Sequence, residues 1–183
     1  MSIQFMEKWD QYSLIAELTL KLKDVSPQFG KTVLQKLVYI LQEIYKVPCG
    51  YNYILYNYGP YSAGLADDLN FFATMEGVKI EWGGGLGYEI KEADRTEYFR
   101  EKGEDFLEKY APEIDKVIKR FGRMHAKELE LQSTIMYALK KESLNKGKLV
   151  QFVKEIKPYF THSQIESSYQ KLEPLLCNKG DKR

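Results

Sequence analysis

The sequence of 183 residues is poor in the residue types that build metal sites and redox centres. Its two cysteines are Cys49 and Cys177, its two histidines are His125 and His162, and these four residues are far apart in the chain. A structural zinc site needs about four clustered ligands, and a catalytic one needs about three and a water. The sequence therefore predicts no metal site, no cofactor and two reduced, unpaired thiols, as expected in the cytoplasm.

Long apolar segments are also missing. The first ten residues, MSIQFMEKWD, include acidic side chains and lack the apolar stretch of a secretory signal. No apolar run approaches the roughly twenty residues that a membrane-spanning helix needs. We therefore expect a cytoplasmic protein without a membrane partner.

Neither sign of charge is in excess, because 27 Lys and Arg residues nearly balance 26 Asp and Glu residues. Such a balance favours no particular class of partner. Hydrophobic residues make up 44% of the chain and charged residues 29%, which is typical of a globular protein.

Catalytic motifs are absent as well. Ser62 follows a Gly-Pro-Tyr sequence but has no Gly-x-Ser-x-Gly context and no histidine nearby in the chain. The glycine-rich run 83–87 lacks the Lys-Ser/Thr of a phosphate-binding loop. Asp67 and Asp68 are adjacent, so on a helix they point about 100° apart and do not face each other. The sequence predicts a non-enzymatic protein.

The most distinctive stretch runs from Tyr51 to Ser62 and holds five of the fourteen tyrosines. It predicts a strand, a turn at Gly59 and Pro60, and a helix that Ser62 caps and that extends to about Glu76. Apolar side chains on both faces favour a strand buried between helices and a hairpin. An exposed platform that stacks nucleic-acid bases is the alternative.

The remaining elements follow from hydrophobic periodicity. Two helices are predicted before the tyrosine segment, over residues 7–23 and 31–45. Alternating strands at 78–82 and 87–91 flank a glycine-rich loop and predict a β-hairpin. Beyond it the chain is predicted to be helical, with Pro112 in the first turn of a new helix.

This order of elements predicts a mainly α fold with a small β-hairpin. We expect a winged helix-turn-helix-like core over residues 1–93, with the helix after Ser62 at the recognition position. Residues 94–183 are predicted to form a helical extension packed on that core.

Three segments resemble a known group of proteins. They are Leu34-Gln35-Lys36-Leu37-Val38-Tyr39, the aromatic segment ending at Gly59-Pro60, and the helical spacing of Leu65, Asp68 and Leu69. In these segments the chain resembles the Panacea-domain proteins, a SocA-like antitoxin group, and the related YwgA-type proteins of bacteria and archaea. The resemblance implies a regulatory, antitoxin-like binding module without shared catalytic residues.

The helix after Ser62 has the wrong charge for reading DNA. Residues 61–76 contain no Lys or Arg, so this helix offers phosphates no cation. We therefore predict that it contacts a protein partner, such as a toxin, together with the hairpin; a purely structural helix is the alternative. The candidate contact residues are Asp67, Asp68, Asn70 and Lys79.

Cations occur farther along the chain at roughly helical spacing. This basic stripe comprises Lys116, Lys119, Arg120, Arg123 and Lys127. Such a stripe suits phosphate contacts, so the alternative function is a winged-helix transcriptional regulator that binds nucleic acid here, as a monomer or a homodimer. A solvated face of an amphipathic helix is the simpler interpretation.

Overall fold

A computed structural model describes residues 8–84, 87–142, 144 and 146–177. Within these residues the chain forms eight helices and two antiparallel two-stranded sheets, which confirms a mainly α fold with small β-hairpins. The helices are α1 (Lys8–Leu22), α2 (Lys31–Glu43), α3 (Ala63–Thr74), α4 (Thr96–Lys102), α5 (Glu104–Phe121), α6 (Ala126–Glu142), α7 (Lys146–Ile156) and α8 (His162–Cys177). The strands are β1 (Ile54–Tyr56), β2 (Gly59–Tyr61), β3 (Val78–Trp82) and β4 (Tyr88–Glu92). None of the helices in this part of the chain is long and apolar enough to cross a membrane.

The centre of the amino-terminal part is built by α1 and α2. Every residue from 11 to 19 in α1 and from 33 to 41 in α2 is buried, so both helices are covered on all sides. The ring of Tyr12 on α1 stacks on Phe72 of α3 with centroids 5.3 Å apart, and Phe99 of α4 meets Phe72 edge-on at 5.0 Å. These aromatic contacts join three helices around one cluster.

The tyrosine segment differs from its prediction. Within the predicted strand, only Ile54–Tyr56 adopt a strand conformation. This short strand pairs with a second one, Gly59–Tyr61, across a turn at Asn57 and Tyr58. Gly59 and Pro60 therefore lie in β2 and not in the turn, and Gly59 adopts a φ of 88° that favours glycine. The prediction of a single long strand ending in a Gly-Pro turn is wrong.

Burial of this segment also differs from the prediction. The side chains of Ile54, Tyr56 and Tyr58 are 60%, 57% and 65% exposed, whereas Tyr51 is buried. Apolar side chains on both faces are typical of a buried strand. Here the segment folds into a short hairpin, which leaves Ile54, Tyr56 and Tyr58 in contact with solvent. The predicted burial therefore holds at the two ends of the segment, at Tyr51 and at Gly59, Pro60 and Ser62, but not in its middle.

The second hairpin is fixed against the start of α2. β3 and β4 pair in a register that places Ile80 opposite Ile90. The backbone N–H of Ile90 donates to the carbonyl of Phe29 at 2.7 Å. A Cβ at Gly30 would lie 2.3 Å from the carbonyl oxygen of Tyr88, so only glycine permits this close approach.

The chain divides into two compact units, Met1–Leu129 and Glu130–Arg183. The first contains α1 to α5 and both sheets, and it therefore includes residues that the sequence assigns to the extension after residue 93. These residues join the first unit because α4 and α5 pack against α1, and α5 also packs against α2.

The second unit contains a buried ion pair. Lys157 Nζ lies 2.8 Å from Glu130 Oε1, and both side chains are almost fully buried. The hydroxyl of Tyr159 also donates to the carboxylate of Glu130. These contacts compensate for burying two charges inside the unit, where α7 and α8 pack against each other.

The helical segment after β4 breaks at a different residue from the one expected. Pro112 lies inside α5 and does not open a helix, while the break falls at Gly103, between α4 and α5. A Cβ at Gly103 would lie 2.1 Å from Ser13 Oγ of α1. Close packing on α1, which no local pattern reveals, therefore accounts for a glycine at this junction.

We predict that Gly103→Ala destabilises the protein, because the added methyl group overlaps Ser13. The expected loss in free energy of unfolding is about 1–3 kcal/mol, measured by urea denaturation. Gly64→Ala is the matched control: Gly64 is exposed in α3, and its Cβ would meet no atom closer than 3.7 Å. That control should leave stability unchanged or raise it by up to about 1 kcal/mol. Equal stabilities of the two variants would contradict the close approach of Gly103 to Ser13.

Candidate functional site

Two glutamines of α2 bind the backbone of the following segment as a neighbouring strand would. Gln35 accepts from the N–H of Ser62 at 2.9 Å and donates to its carbonyl at 2.8 Å. Gln42 makes the same pair of bonds with Tyr51, at 2.9 Å and 2.7 Å. These side chains pair with backbone groups that lie outside any strand. The carbonyl of Ser62 also accepts from the N–H of Ala66 at 3.2 Å, but the N–H of Ser62 and both backbone groups of Tyr51 depend on the glutamines.

Two further side chains extend this pattern. Lys36 of α2 donates from Nζ to the carbonyl of Pro60 at 2.8 Å, and Gln11 of α1 donates from Nε2 to the carbonyl of Cys49 at 3.1 Å. We call Gln11, Gln35, Lys36 and Gln42 the backbone clamp. It explains why these four polar side chains lie in helices that are largely buried.

The start of α3 is fixed twice. Ser62 has an extended backbone, with φ −120° and ψ 120°, and its hydroxyl accepts from the N–H of Leu65 at 3.3 Å. Gln35 holds the backbone of the same residue. Capping and clamp together set where the helix begins and in which direction it leaves the hairpin.

The helix α3 presents two chemically distinct faces. Leu65, Leu69 and Phe72 are buried against the rest of the unit. The outward side chains contain no cation; they are Ala63, Gly64, Asp67, Asn70, Phe71 and Thr74. Of the predicted contact residues, Asp67 and Asn70 share this outward face.

Contrary to the expectation for a contact residue, Asp68 lies on the inner side of α3. Its side chain is 10% exposed and accepts from Lys8 Nζ at 2.6 Å and from the Tyr51 hydroxyl at 3.1 Å. Burial, and then the negative charge of Asp68, raise the pKa of Tyr51 well above its usual range, which keeps the phenol protonated as a donor. Asp68 therefore ties α3 to α1 and to the clamped segment.

Lys79 is exposed on β3 and does not belong to the face of α3. It lies with Glu81, Glu89 and Lys91 on the outer surface of the second hairpin, where Lys79 is directly opposite Lys91. We call this surface the charged hairpin face. The structure therefore separates Lys79 from the helix with which the sequence groups it.

The first hairpin leads directly into α3, with Ser62 between the two elements, and both carry exposed side chains. We define the hairpin–α3 face as Ile54, Tyr56, Tyr58, Ala63, Gly64, Asp67, Asn70, Phe71 and Thr74. No Lys or Arg occurs between Tyr51 and Val78, so the face carries one formal charge, that of Asp67. The sequence-based prediction did not include the apolar members of this face, Ile54, Tyr56, Tyr58 and Phe71. The pair Asn57-Tyr58 followed by Gly59 was the sequence signal for a hairpin turn that would expose the first three.

The basic stripe lies on the first unit, and all five of its residues are exposed. Lys116, Lys119 and Arg120 are in α5, Arg123 is in the turn after it, and Lys127 is in the first turn of α6. In the part of the chain that the structure describes, Lys116, Lys119 and Arg123 make no ion pair. The structure therefore brings the predicted stripe together along one helix and the turn that follows.

The described residues contain no cluster of His, Cys, Asp and Glu side chains that could hold a metal ion. Cys49 is free and buried, and burial raises the pKa of its thiol above the usual range, so it is a poor nucleophile at neutral pH.

No known family model matches the chain, and no curated protein matches it in sequence. The resemblance to Panacea-domain and YwgA-type proteins stays a prediction that depends on the segments named above.

We predict that Gln35→Leu destabilises the protein, since it keeps the side-chain size but leaves the buried N–H of Ser62 unpaired, while the Ser62 carbonyl keeps the N–H of Ala66 at 3.2 Å. The expected cost is about 1–3 kcal/mol for the unpaired donor, measured by urea denaturation. Gln170→Leu on the exposed surface of α8 is the matched control and should change stability by less than about 0.5 kcal/mol. A Gln35→Leu protein as stable as the control would show that the clamp contributes nothing.

Proposed function

We propose that this protein is a non-enzymatic binding module that recognises another protein through the hairpin–α3 face. The observation that carries the proposal is the exposure of Ile54, Tyr56 and Tyr58, at 60%, 57% and 65%, on one short hairpin. Phe71 on α3 adds a ring that is 54% exposed. Tyrosine and phenylalanine are enriched at protein interfaces because they offer large contact areas with few rotatable bonds.

The backbone clamp supports this function by holding the face in place before any partner arrives. Ser62 and Pro60 are bound by buried side chains of α2, and Tyr51 is bound by Gln42. A pre-organised surface loses less conformational entropy on binding than a mobile loop does. The exposed side chains therefore sit on a rigid base.

Charge indicates the kind of partner. The face carries Asp67 and no cation, so it complements a partner whose apolar patch is bordered by Lys or Arg. It does not suit nucleic acid, whose phosphates need cations. An antitoxin-like role toward a protein such as a toxin, which the resemblance implies, fits this chemistry.

We place the protein in the cytoplasm, where a free thiol such as Cys49 stays reduced.

The test compares two double variants with the wild type. A partner is first captured from native cell extract by chemical crosslinking, and its affinity for each purified protein is then measured. Ile54→Ser with Tyr58→Ser should weaken the Kd by at least about tenfold, because each removes an exposed interface anchor. The control, Trp82→Ser with Tyr88→Ser, removes two equally exposed aromatic rings from the second hairpin and should bind as the wild type does.

The charge of Asp67 provides a second measurement on the same complex. Asp67→Lys should weaken binding, and added salt should weaken the wild type more than this variant. Concentration-dependent self-association that the hairpin variant abolishes would identify the occupant as a second copy of this chain. Equal capture by both double variants would remove the hairpin–α3 face as the binding surface.

A second candidate function is nucleic-acid binding through the basic stripe. Its specific observation is that Lys116, Lys119 and Arg123 are exposed cations to which the described residues supply no carboxylate. Unpaired cations on one helical surface can each neutralise a phosphate without breaking an ion pair.

We expect, for this second candidate, that the affinity for duplex DNA falls steeply with salt, as fluorescence anisotropy can measure. Lys119→Glu with Arg123→Glu should abolish binding. Lys31→Glu with Lys102→Glu makes the same change of charge outside the stripe and should retain it. Absence of binding at low salt would eliminate this function.

A further inference from the structure

A groove of about 420 Å³ lies between the charged hairpin face and the connection from α1 to α2. Its volume falls within the range of small-molecule sites. The bond from the N–H of Ile90 to the carbonyl of Phe29, at 2.7 Å, joins the two walls. Polar lining residues include Lys23, Ser26, Gln28, Lys79, Glu89 and Lys91. No function considered so far uses this groove.

Two polar atoms of the lining residues lack a partner. Ser26 Oγ and Gln28 Nε2 are both buried, and neither makes a hydrogen bond within the protein. The Gln28 amide nitrogen can only donate, and the serine hydroxyl can donate as well. Buried donors without acceptors cost free energy, so both atoms favour a ligand that brings acceptor oxygens.

The carboxylates around the groove have lysine partners. Lys91 engages Glu81 at 3.1 Å and Glu89 at 3.5 Å, and Lys23 engages Glu92 at 3.2 Å. These ion pairs reduce the repulsion that the carboxylates exert on a small anion, although two of the carboxylates share Lys91.

Lys79 differs from the other two lysines. Among the described residues, the carboxylate within 4.0 Å of its Nζ is that of Asp94, at 3.9 Å, and this side chain is 86% exposed. Lys79 also stands opposite a second ammonium group, that of Lys91, in the strand register. The like charge of Lys91 makes the binding of an anion next to Lys79 more favourable.

We propose that this groove binds a small organic anion through a carboxylate or phosphate group. Oxygens of that group accept from Gln28 Nε2, Ser26 Oγ and Lys79 Nζ. The glutamates around the site discriminate against long polyanions such as nucleic acid, because an extended chain of phosphates would approach several carboxylates. The site is separate from the hairpin–α3 face and from the basic stripe.

Isothermal titration calorimetry of the full chain tests the proposal with three probes: inorganic phosphate, malonate and ribose 5-phosphate. Ionic strength is held constant, so that general screening does not mimic binding. We expect saturable one-site binding of at least one probe. Preference for malonate over both phosphates, or the reverse, distinguishes a carboxylate ligand from a phosphate ligand.

Variants locate the site. Gln28→Glu replaces the donor by a carboxylate, and Lys79→Gln removes the charge; each should weaken the Kd by about tenfold or more. Lys119→Gln makes the same charge change outside the groove and should bind as the wild type does. If Gln28→Glu does not fold, Ser26→Ala replaces it, since that hydroxyl makes no bond within the protein. Equal weakening by Lys119→Gln, or no saturable binding of any probe to the wild type, overturns the proposal.

Discussion

The structure of the first unit depends on hydrogen bonds from α1 and α2 side chains to backbone that has no strand to pair with. Residues 49–53 have no regular secondary structure, yet parts of this stretch are buried. Gln42 and Gln35 bind both the N–H and the carbonyl of Tyr51 and of Ser62. Without these amides, burial of the segment would leave backbone groups unpaired, at a cost comparable to a large part of a domain's net stability.

The clamp has a consequence for the surface. The clamp binds the second strand of the first hairpin at the carbonyl of Pro60, while the first strand and the turn carry Ile54, Tyr56 and Tyr58 into solvent. The same clamp fixes Ser62 and therefore the direction of α3. An exposed apolar hairpin and a cation-free helix face are thus joined at Ser62, although their residues follow different local patterns.

The nearly neutral chain separates its charges over three surfaces of the first unit. The hairpin–α3 face has no cation, the basic stripe holds five exposed cations, and the charged hairpin face carries two lysines beside two glutamates. Net charge conceals this division, because contributions of opposite sign cancel in the sum. Each surface suits a different kind of ligand, and separate variants can therefore test each one.

Local patterns in the sequence determined which segments are helices, the second hairpin, and Ser62 as the residue where α3 begins. Periodicity and capping act over a few residues and can therefore be recognised from neighbours in the chain. Tertiary structure alone decided that the hairpin of the tyrosine segment leaves Ile54, Tyr56 and Tyr58 exposed, that Asp68 turns inward to Lys8 and Tyr51, and that the later helices break at Gly103. Each of these outcomes depends on a partner distant in sequence: the amides of α2, the phenol and ammonium groups around Asp68, and Ser13 on α1. A carboxylate or a glycine looks the same in sequence whether or not such a partner lies against it.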